Sequence, residues 1–155
     1  MVNDKRRVNV RGIIVRDGKL LAARQKESDG STSNYWCVPG GGLDPYESVA
    51  RGLTREMVEE TGIAPHIGNL LYIQQFASRR SRHDEELELF FAITNPEDYD
   101  EIDLSQTTHG DAEIAEIGFV DPRTVRILPE FLAEVDIVAD VTTPGPTQIF
   151  DRFDE

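Results

Sequence analysis

The chain of 155 residues contains one cysteine, three histidines and no apolar run long enough to cross a membrane. One cysteine excludes an internal disulfide. A membrane-spanning helix needs about 18 or more consecutive apolar residues, which this sequence lacks. Residues 1–7 lack the apolar region of a secretory signal peptide, and there is no internal repeat or low-complexity tract. These absences lead us to expect a globular, cytoplasmic protein.

Basic residues are also scarce relative to acidic ones. The sequence has 29 aspartates and glutamates against 16 lysines and arginines, which gives a formal net charge of −13. This charge argues against a long track for nucleic acid, because lysine and arginine supply most of the non-specific affinity for phosphates. A small nucleotide that brings its own metal ion is still compatible with it. The length suits a single domain over residues 1–155, in which we expect residues 141–155 to form an extended or frayed tail.

The hydrophobic pattern predicts a mixed α/β chain. The apolar segments 8–16 and 19–25 flank Asp17-Gly18, a two-residue turn typical of hairpins, so we expect an antiparallel pair. Further strands are predicted at 35–38, 70–77, 87–94 and 114–120. Prolines predict two late helices, at 122–127 and 129–139. Residues 95–110 form a long polar segment of a kind that often serves as a lid or binding loop.

The most informative segment is residues 41–63, in which a glycine turn precedes an amphipathic helix and a glycine stop. Asp44 and Glu47 have the spacing of a capping box, and Pro45 suits the first helical position. Gly62 is placed to end the helix. The segment therefore predicts a helix over residues 45–61.

Three acids of this helix, Glu56, Glu59 and Glu60, fall on one face within one turn. They repel one another and meet the negative end of the helix dipole, at roughly 0.3–1 kcal/mol each. A divalent cation would offset this cost, because Mg²⁺ takes one or two protein carboxylates and completes its shell with water and phosphates. The alternative is a solvated helix end in which Arg55 and Glu59 form an ordinary i,i+4 pair.

The spacing of the whole segment decides between these two interpretations. Gly41, five residues, Glu47, seven residues and then Arg55-Glu56-Met57-x-Glu59-Glu60-x-Gly62-Ile63 resembles the signature of Nudix hydrolases at every fixed position. The resemblance implies an αβα sandwich around a mixed β-sheet. It also implies an enzyme that hydrolyses a nucleoside diphosphate linked to another moiety, with Mg²⁺ or Mn²⁺ held chiefly by Glu56, Glu59 and Glu60.

The resemblance assigns roles to residues around these glutamates. Arg55 matches the arginine that orients a glutamate, and Gly40 and Glu47 are expected near the metal. The position of Glu47 depends on the helix boundary. If the helix begins at Pro45, Glu47 lies on the opposite face from Glu56 and suits a cap better than a metal ligand.

Members of the family often add a carboxylate from a distant loop. Glu113 is our first choice and Asp111 the second, because both border the late strand; the alternative is plain surface charge. Glu56 and Glu60 compete for the role of general base, since clustering raises a carboxyl pKa and a bound metal lowers it again.

Substrate contacts are expected from glycines and arginines. The backbone at Gly41 and Gly42 can approach a ligand closely because neither residue has a Cβ. Arg24 ends a predicted strand at a position where the family commonly has an arginine facing phosphates. Arg79 and Arg82 lie in the one dense basic cluster, and the guanidinium fork matches phosphate oxygens. For each arginine the alternative is a solvated side chain.

The substrate stays open among nucleoside triphosphates, dinucleoside polyphosphates, nucleotide sugars and ADP-ribose. Two other functions are considered. One is a non-catalytic Nudix-fold module that binds nucleotide or regulates. The other is an RNA 5′-end pyrophosphohydrolase, which the net charge disfavours. Dimers are common in this fold, so a homodimer is among the expected states, whereas no membrane or long nucleic acid partner is expected.

Overall fold

The computed structural model describes residues 5–78 and 82–154. The strands in these ranges are β1 (Arg6–Ile13), β2 (Val15–Arg16), β3 (Lys19–Gln25), β4 (Trp36–Cys37), β5 (Gly40–Gly42), β6 (Ile67–Ala77), β7 (Glu85–Ile93), β8 (Ile114–Val120), β9 (Ile127–Leu128) and β10 (Gln148–Arg152). The helices are α1 (Val49–Thr61), α2 (Gly110–Glu113) and α3 (Ile137–Thr142), with 3₁₀ turns at Pro96–Tyr99, Leu104–Gln106 and Glu130–Ala133. Within the described ranges, no helix is both long and apolar enough to cross a membrane.

The strands form two mixed sheets, which confirms the predicted mixed α/β class. The first sheet has the order β10-β6-β7-β1-β5, in which β10 and β6, and also β7 and β1, run parallel. The second has the order β2-β3-β4-β9, and β8 also pairs with β3. In the second sheet β4 and β9 run parallel and the other pairs are antiparallel.

The first two strands belong to different sheets. Strand β1 pairs with β5 and β7, and only Val15 and Arg16 form the hairpin with β3, so the long antiparallel pair predicted over 8–16 is wrong in its extent. The reason is burial. Val10 and Ile13 are both fully buried but belong to different cores, so β1 is covered on both faces and takes an inner position in its sheet.

Two hydrophobic cores lie on opposite faces of β1. The first packs α1 against the sheets through Leu53 and Met57, which join Leu21 and Ile93. The second is aromatic and includes Tyr72, Phe90 and Phe131, whose rings meet edge to face. The first core fixes the position of α1, and therefore of the glutamates on the helix.

Helix α1 begins at Val49, so the predicted start at Pro45 is wrong. Ser48 is the N-cap, and its side chain accepts a hydrogen bond from the Arg51 N–H. Tyr46 has a φ of 63°, in the left-handed region, which a continuous right-handed helix cannot accommodate. The predicted end is confirmed, because Gly62 caps the helix with a φ of 76°.

The predicted late helices are also wrong. Residues 122–127 form a turn that leads into β9, because Ile127 is buried beside Trp36 of β4. Residues 129–139 contain a 3₁₀ turn and the start of α3 instead of one continuous helix. The tail predicted to be extended contains β10, which adds to the edge of the first sheet along β6.

Candidate active site

Helix α1 places three glutamates beside the glycine strand β5. Their exposure decreases toward the interior: the Glu59 side chain is 23% exposed, the Glu56 side chain is 16% exposed, and Glu60 is buried. A Cβ on Gly41 would lie only 2.6 Å from the Glu56 carboxylate. The glycine at this position therefore allows β5 and the glutamate face of α1 to come into contact.

Glu60 is the most perturbed of the three glutamates. Its Oε2 accepts a hydrogen bond of 3.0 Å from the Gly40 N–H. Burial, with smaller contributions from the nearby Glu56 and Glu113 carboxylates, raises the pKa of Glu60 to about 7 against the opposing effects of the Gly40 N–H and Arg11. Burial also raises the pKa of Glu56, which Arg55 partly opposes. Two neighbouring carboxyls thus hold protons more firmly than they would in water.

Arg55 holds the surrounding acids in place. Its guanidinium lies 2.8 Å from Glu47, 2.9 Å from Glu56 and 3.4 Å from Glu59, and it donates a 3.0 Å hydrogen bond to the Gly42 carbonyl. The geometry fits the predicted role of an arginine that orients a glutamate. Arg55 and Glu59 do form an i,i+4 pair, but the same guanidinium also contacts Glu47 and Glu56, so this pair belongs to a larger cluster of acids around one arginine.

Glu47 lies outside α1 and reaches back along it to Arg55. The placement on the opposite helix face, which assumed a helix start at Pro45, is therefore wrong. Two hydrogen bonds of 2.8 Å join the Glu47 carboxylate to Arg55, and these lower the pKa of Glu47 to about 2. Its Oε1 also accepts from the Asp44 N–H. Glu47 thus remains ionised and fixes the far side of the arginine.

A buried ion pair behind the glycine strand had not been predicted. Arg11 of β1 contacts Glu88 of β7 at 2.9 Å and donates to the Val38 carbonyl at 3.2 Å. Burial acts to lower the pKa of Arg11, but Glu88, together with Cys37 and Glu60, more than compensates and the net shift is upward. An arginine inside an apolar strand was the only sequence signal, because its partner lies 77 residues away.

The loop before β8 brings a further side chain to the end of α1. His109 Nδ1 lies 3.1 Å from Glu59 Oε2, a contact that sequence reasoning missed. Glu113, the preferred loop carboxylate, is exposed but close enough to Glu60 to raise its pKa. Asp111 is exposed, and its backbone carbonyl accepts a hydrogen bond from the Lys26 ammonium. Of the two predicted acids, Glu113 is therefore the one electrostatically linked to the site.

The family model described as the NUDIX domain matches residues 5–141, which is most of the chain and includes the whole glutamate site. The chain belongs to the Nudix family. The resemblance seen in residues 41–63 is thereby confirmed, and the prediction of a Nudix hydrolase is confirmed at the level of the family.

Similar proteins carry different names. The chain is 38% identical over 66 residues to the CTP pyrophosphohydrolase of Escherichia coli (strain K12), covering 43% of this chain and 48% of that protein. It is 33% identical over 75 residues to the ADP-ribose pyrophosphatase of Methanocaldococcus jannaschii, covering 48% and 43%. The matches thus span less than half the length of these curated relatives. The solution structure of the E. coli ORF135 protein shares the fold, with a TM-score of 0.68 and 21% identity over 94% of this chain and 99% of that one.

Nudix hydrolases generally use divalent metals, and the donor set of this site fits one. In residues 5–78 and 82–154, no three histidine, cysteine or acidic side chains already converge as a complete cage. Mg²⁺ does not need such a cage, because it usually takes one or two carboxylates together with water and substrate phosphates. Glu56 and Glu60, one helical turn apart with raised pKa values, would be that pair beside Gly40 if a metal were bound here.

Two of the predicted substrate arginines, Arg24 and Arg82, lie away from the three glutamates of α1. Arg24 donates a 2.8 Å hydrogen bond to the Ser33 carbonyl, and its guanidinium lies 6.0 Å from the centre of the Trp36 ring. Arg82 is exposed just before β7. In the described part of the chain, neither contacts the three glutamates, and Arg79 lies outside the described residues. Phosphate contacts by these arginines remain predictions.

Proposed function

We propose that this chain is a divalent-metal-dependent pyrophosphohydrolase that cleaves a phosphoanhydride in a nucleoside diphosphate linked to another moiety. The observation that supports it best is the pair Glu56 and Glu60, held by Arg55 and the Gly40 N–H with raised carboxyl pKa values. Perturbed acids of this kind are typical of sites that bind cations or move protons. The relatives named as pyrophosphohydrolases support the same reaction class.

Each residue of the site has a distinct part in this proposal. Mg²⁺ or Mn²⁺, when bound, neutralises phosphate charge and activates water. Glu56, Glu59 and Glu60 provide the carboxylates, with Gly40 and Glu47 alongside them. Arg55 keeps the carboxylates apart and oriented, which reduces the rearrangement that substrate binding requires. Glu56 and Glu60 are the two candidates for the proton acceptor.

Selectivity for the nucleotide attached to the diphosphate depends on parts of the chain other than the glutamates of α1. Two relatives of comparable identity are named for CTP and for ADP-ribose, so identity at this level does not select the substrate. We propose that selection depends on the segments 27–34, 78–86 and 95–113. The candidates are nucleoside triphosphates, dinucleoside polyphosphates, nucleotide sugars and ADP-ribose.

A substrate panel with Mg²⁺ and with Mn²⁺, in which released products are resolved, tests the reaction. We expect at least one substrate to be cleaved at an anhydride, and Glu60→Gln to reduce kcat by about a hundredfold or more. Glu113→Gln should give a smaller loss, and Glu130→Gln, an exposed acid outside the site and outside these segments, should leave turnover unchanged. Near-normal turnover by Glu60→Gln would remove the central mechanism.

The same panel separates the other functions. Nucleotide binding without turnover of any member would identify a non-catalytic module. Faster cleavage of a triphosphorylated oligonucleotide than of mononucleotides would instead identify an RNA 5′-end pyrophosphohydrolase.

A further inference from the structure

The short helix α2 is anchored directly to the end of α1. The His109 N–H donates a 3.0 Å hydrogen bond to the Glu59 carbonyl, in the last turn of α1. A Cβ on Gly110 would collide with the Glu60 carbonyl oxygen, so a residue without a side chain is required at this contact. His109 is therefore held at a fixed position beside two of the site glutamates.

The same residue links this contact to the loop carboxylate. The His109 carbonyl accepts hydrogen bonds from the N–H groups of Ala112 and Glu113, which close the turn of α2. Glu113 in turn lies near enough to Glu60 to raise its pKa. Helix α2 and the residue that precedes it thus present two side chains to α1. His109 lies at Glu59, and Glu113 lies near Glu60.

The His109 imidazole approaches Glu59, which is the least tightly held of the three glutamates that contact Arg55. Glu59 Oε2 is 3.4 Å from Arg55, against 2.8 Å for Glu47 and 2.9 Å for Glu56. On its other side, the same oxygen is 3.1 Å from His109 Nδ1. The His109 side chain is 49% exposed, so an ion can reach this pair of atoms from solvent.

The separation of these two atoms suits a shared cation. Two ligands at right angles around an octahedral ion, each at about 2.1 Å, lie about 3.0 Å apart. A hydrogen bond donated by an Nδ1–H group has a similar length. The space between His109 Nδ1 and Glu59 Oε2 can therefore hold either a cation or the proton of that hydrogen bond. A neutral imidazole favours later first-row metals such as Co²⁺ over Mg²⁺, which prefers oxygen ligands.

We propose that His109 supplies a nitrogen ligand to the divalent-cation site beside Glu59, and that this nitrogen makes the site prefer Co²⁺ over Mg²⁺. The proposal rests on the proposed function, because it adds one ligand to the cation site used there. It concerns which ion is bound and does not assign a step of hydrolysis to His109.

Cation binding to the untagged full chain tests the proposal without any measurement of turnover. Isothermal titration calorimetry with Co²⁺ and with Mg²⁺ compares wild type, His109→Gln and His66→Gln. His66 is an exposed histidine that serves as the matched control for adventitious imidazole binding. We expect His109→Gln to weaken Co²⁺ binding by about 10- to 100-fold and Mg²⁺ binding by less than about threefold, with His66→Gln unchanged.

Spectroscopy of the wild-type protein provides a second measurement that does not depend on a variant folding correctly. Bound Mn²⁺ should show coupling to a directly ligated imidazole ¹⁴N in pulsed electron paramagnetic resonance. Equal losses of Co²⁺ and Mg²⁺ affinity in His109→Gln, unchanged affinity for both, or the absence of nitrogen coupling would overturn the proposal. Failure of wild type to bind any divalent cation would overturn the proposed function as well, which separates the two.

Discussion

At the scale of single residues, three side chains occupy environments or backbone conformations that carry a free-energy cost. Glu60 is a buried carboxyl, and Arg11 is a guanidinium whose side chain is only 20% exposed. Tyr46 is fully exposed and has a φ of 63°, a conformation that a residue with a bulky side chain rarely adopts. For Tyr46 and Glu60, a substitution that removes this cost should change the stability of the protein measurably.

Tyr46→Gly should stabilise the protein. Glycine adopts a left-handed φ without strain, whereas a residue with a Cβ pays about 1 kcal/mol or more. Because Tyr46 is fully exposed, little packing is lost when the ring is removed. Urea unfolding should show Tyr46→Gly to be about 1 kcal/mol more stable than Tyr46→Ala, which removes the ring but keeps the strain. Equal midpoints for the two variants would contradict a strained backbone at this position.

Glu60 should make the stability of chelator-treated protein fall as pH rises. The carboxyl releases its proton near pH 4.5 in the unfolded chain but only near pH 7 in the folded one. Its contribution is therefore fully present below pH 4.5 and is lost as pH rises to about 7. At about 1.4 kcal/mol per pH unit, the loss amounts to roughly 3 to 4 kcal/mol.

Urea unfolding in EDTA between pH 4.5 and 8 measures this dependence. Glu60→Gln cannot ionise and should remove most of it, whereas the exposed-site variant Glu101→Gln should keep it. Parallel stability curves for wild type and Glu60→Gln would show that Glu60 titrates normally in the folded protein.

At the scale of elements, α1 is positioned by its cap and by Arg55 together. Ser48 satisfies the Arg51 N–H at 3.2 Å, and the loop before it places Glu47 against Arg55. The start of the helix therefore sets the distance between Glu47 and the acids of the last turn. A cap at Asp44 would instead carry Glu47 away from Arg55.

Ser48→Ala should destabilise the protein by about 1 kcal/mol, because the Arg51 N–H loses its side-chain acceptor. Ser48→Asp should retain most of the stability, since aspartate caps equally well. Thermal or urea unfolding measures both. If Asp44→Ala were more damaging than Ser48→Ala, the helix start predicted from sequence would be the better one.

Features of the fold that depend on local signals could be predicted from the sequence, whereas features that depend on contacts between distant residues could not. The limits of β8 and the end of α1 at Gly62 were predicted correctly, because periodicity and a helix stop are local signals. The start of α1 was predicted incorrectly because Asp44-Pro45 and Ser48 are both good cap sequences. The choice between them depends on the contact of Glu47 with Arg55.

The same distinction between local and long-range contacts applies to the candidate site. The acids of α1 follow from a fixed spacing in the sequence, and the structure places them on one face as predicted. The contacts of Arg11 with Glu88 and of His109 with Glu59 join residues 77 and 50 positions apart. No local pattern encodes such pairs, since they arise only when the strands and loops are packed.

At the scale of the whole molecule, the charge of −13 acts against compactness. Several arginines relieve it locally, as in the 2.8 Å pair between Arg16 and Asp100, which secures the acidic segment after β7. Glu97 and Glu101 in that segment are exposed. The remaining repulsion between acidic side chains should therefore weaken when dissolved salt screens their charges.

The free energy of unfolding should rise with salt, by several tenths of a kcal/mol up to about 1 kcal/mol between roughly 0.01 M and 0.3 M NaCl. The double variant Glu97→Lys/Glu101→Lys adds two charges at each position and brings the net charge from −13 to −9. It should show a shallower salt dependence than wild type. An identical slope for the two proteins would assign the salt effect to something other than net charge.

The passage of the chain from β1 to β2 has a mechanical consequence. Ile14 is the single residue between these strands, it is fully buried, and the strands belong to different sheets. A link this short gives the two sheets no room to swing apart. The glycine strand belongs to one sheet, while Arg24 and the strand that follows α2 belong to the other. We therefore expect the molecule to admit its ligand through movement of surface loops, with the two sheets behaving as one stiff body.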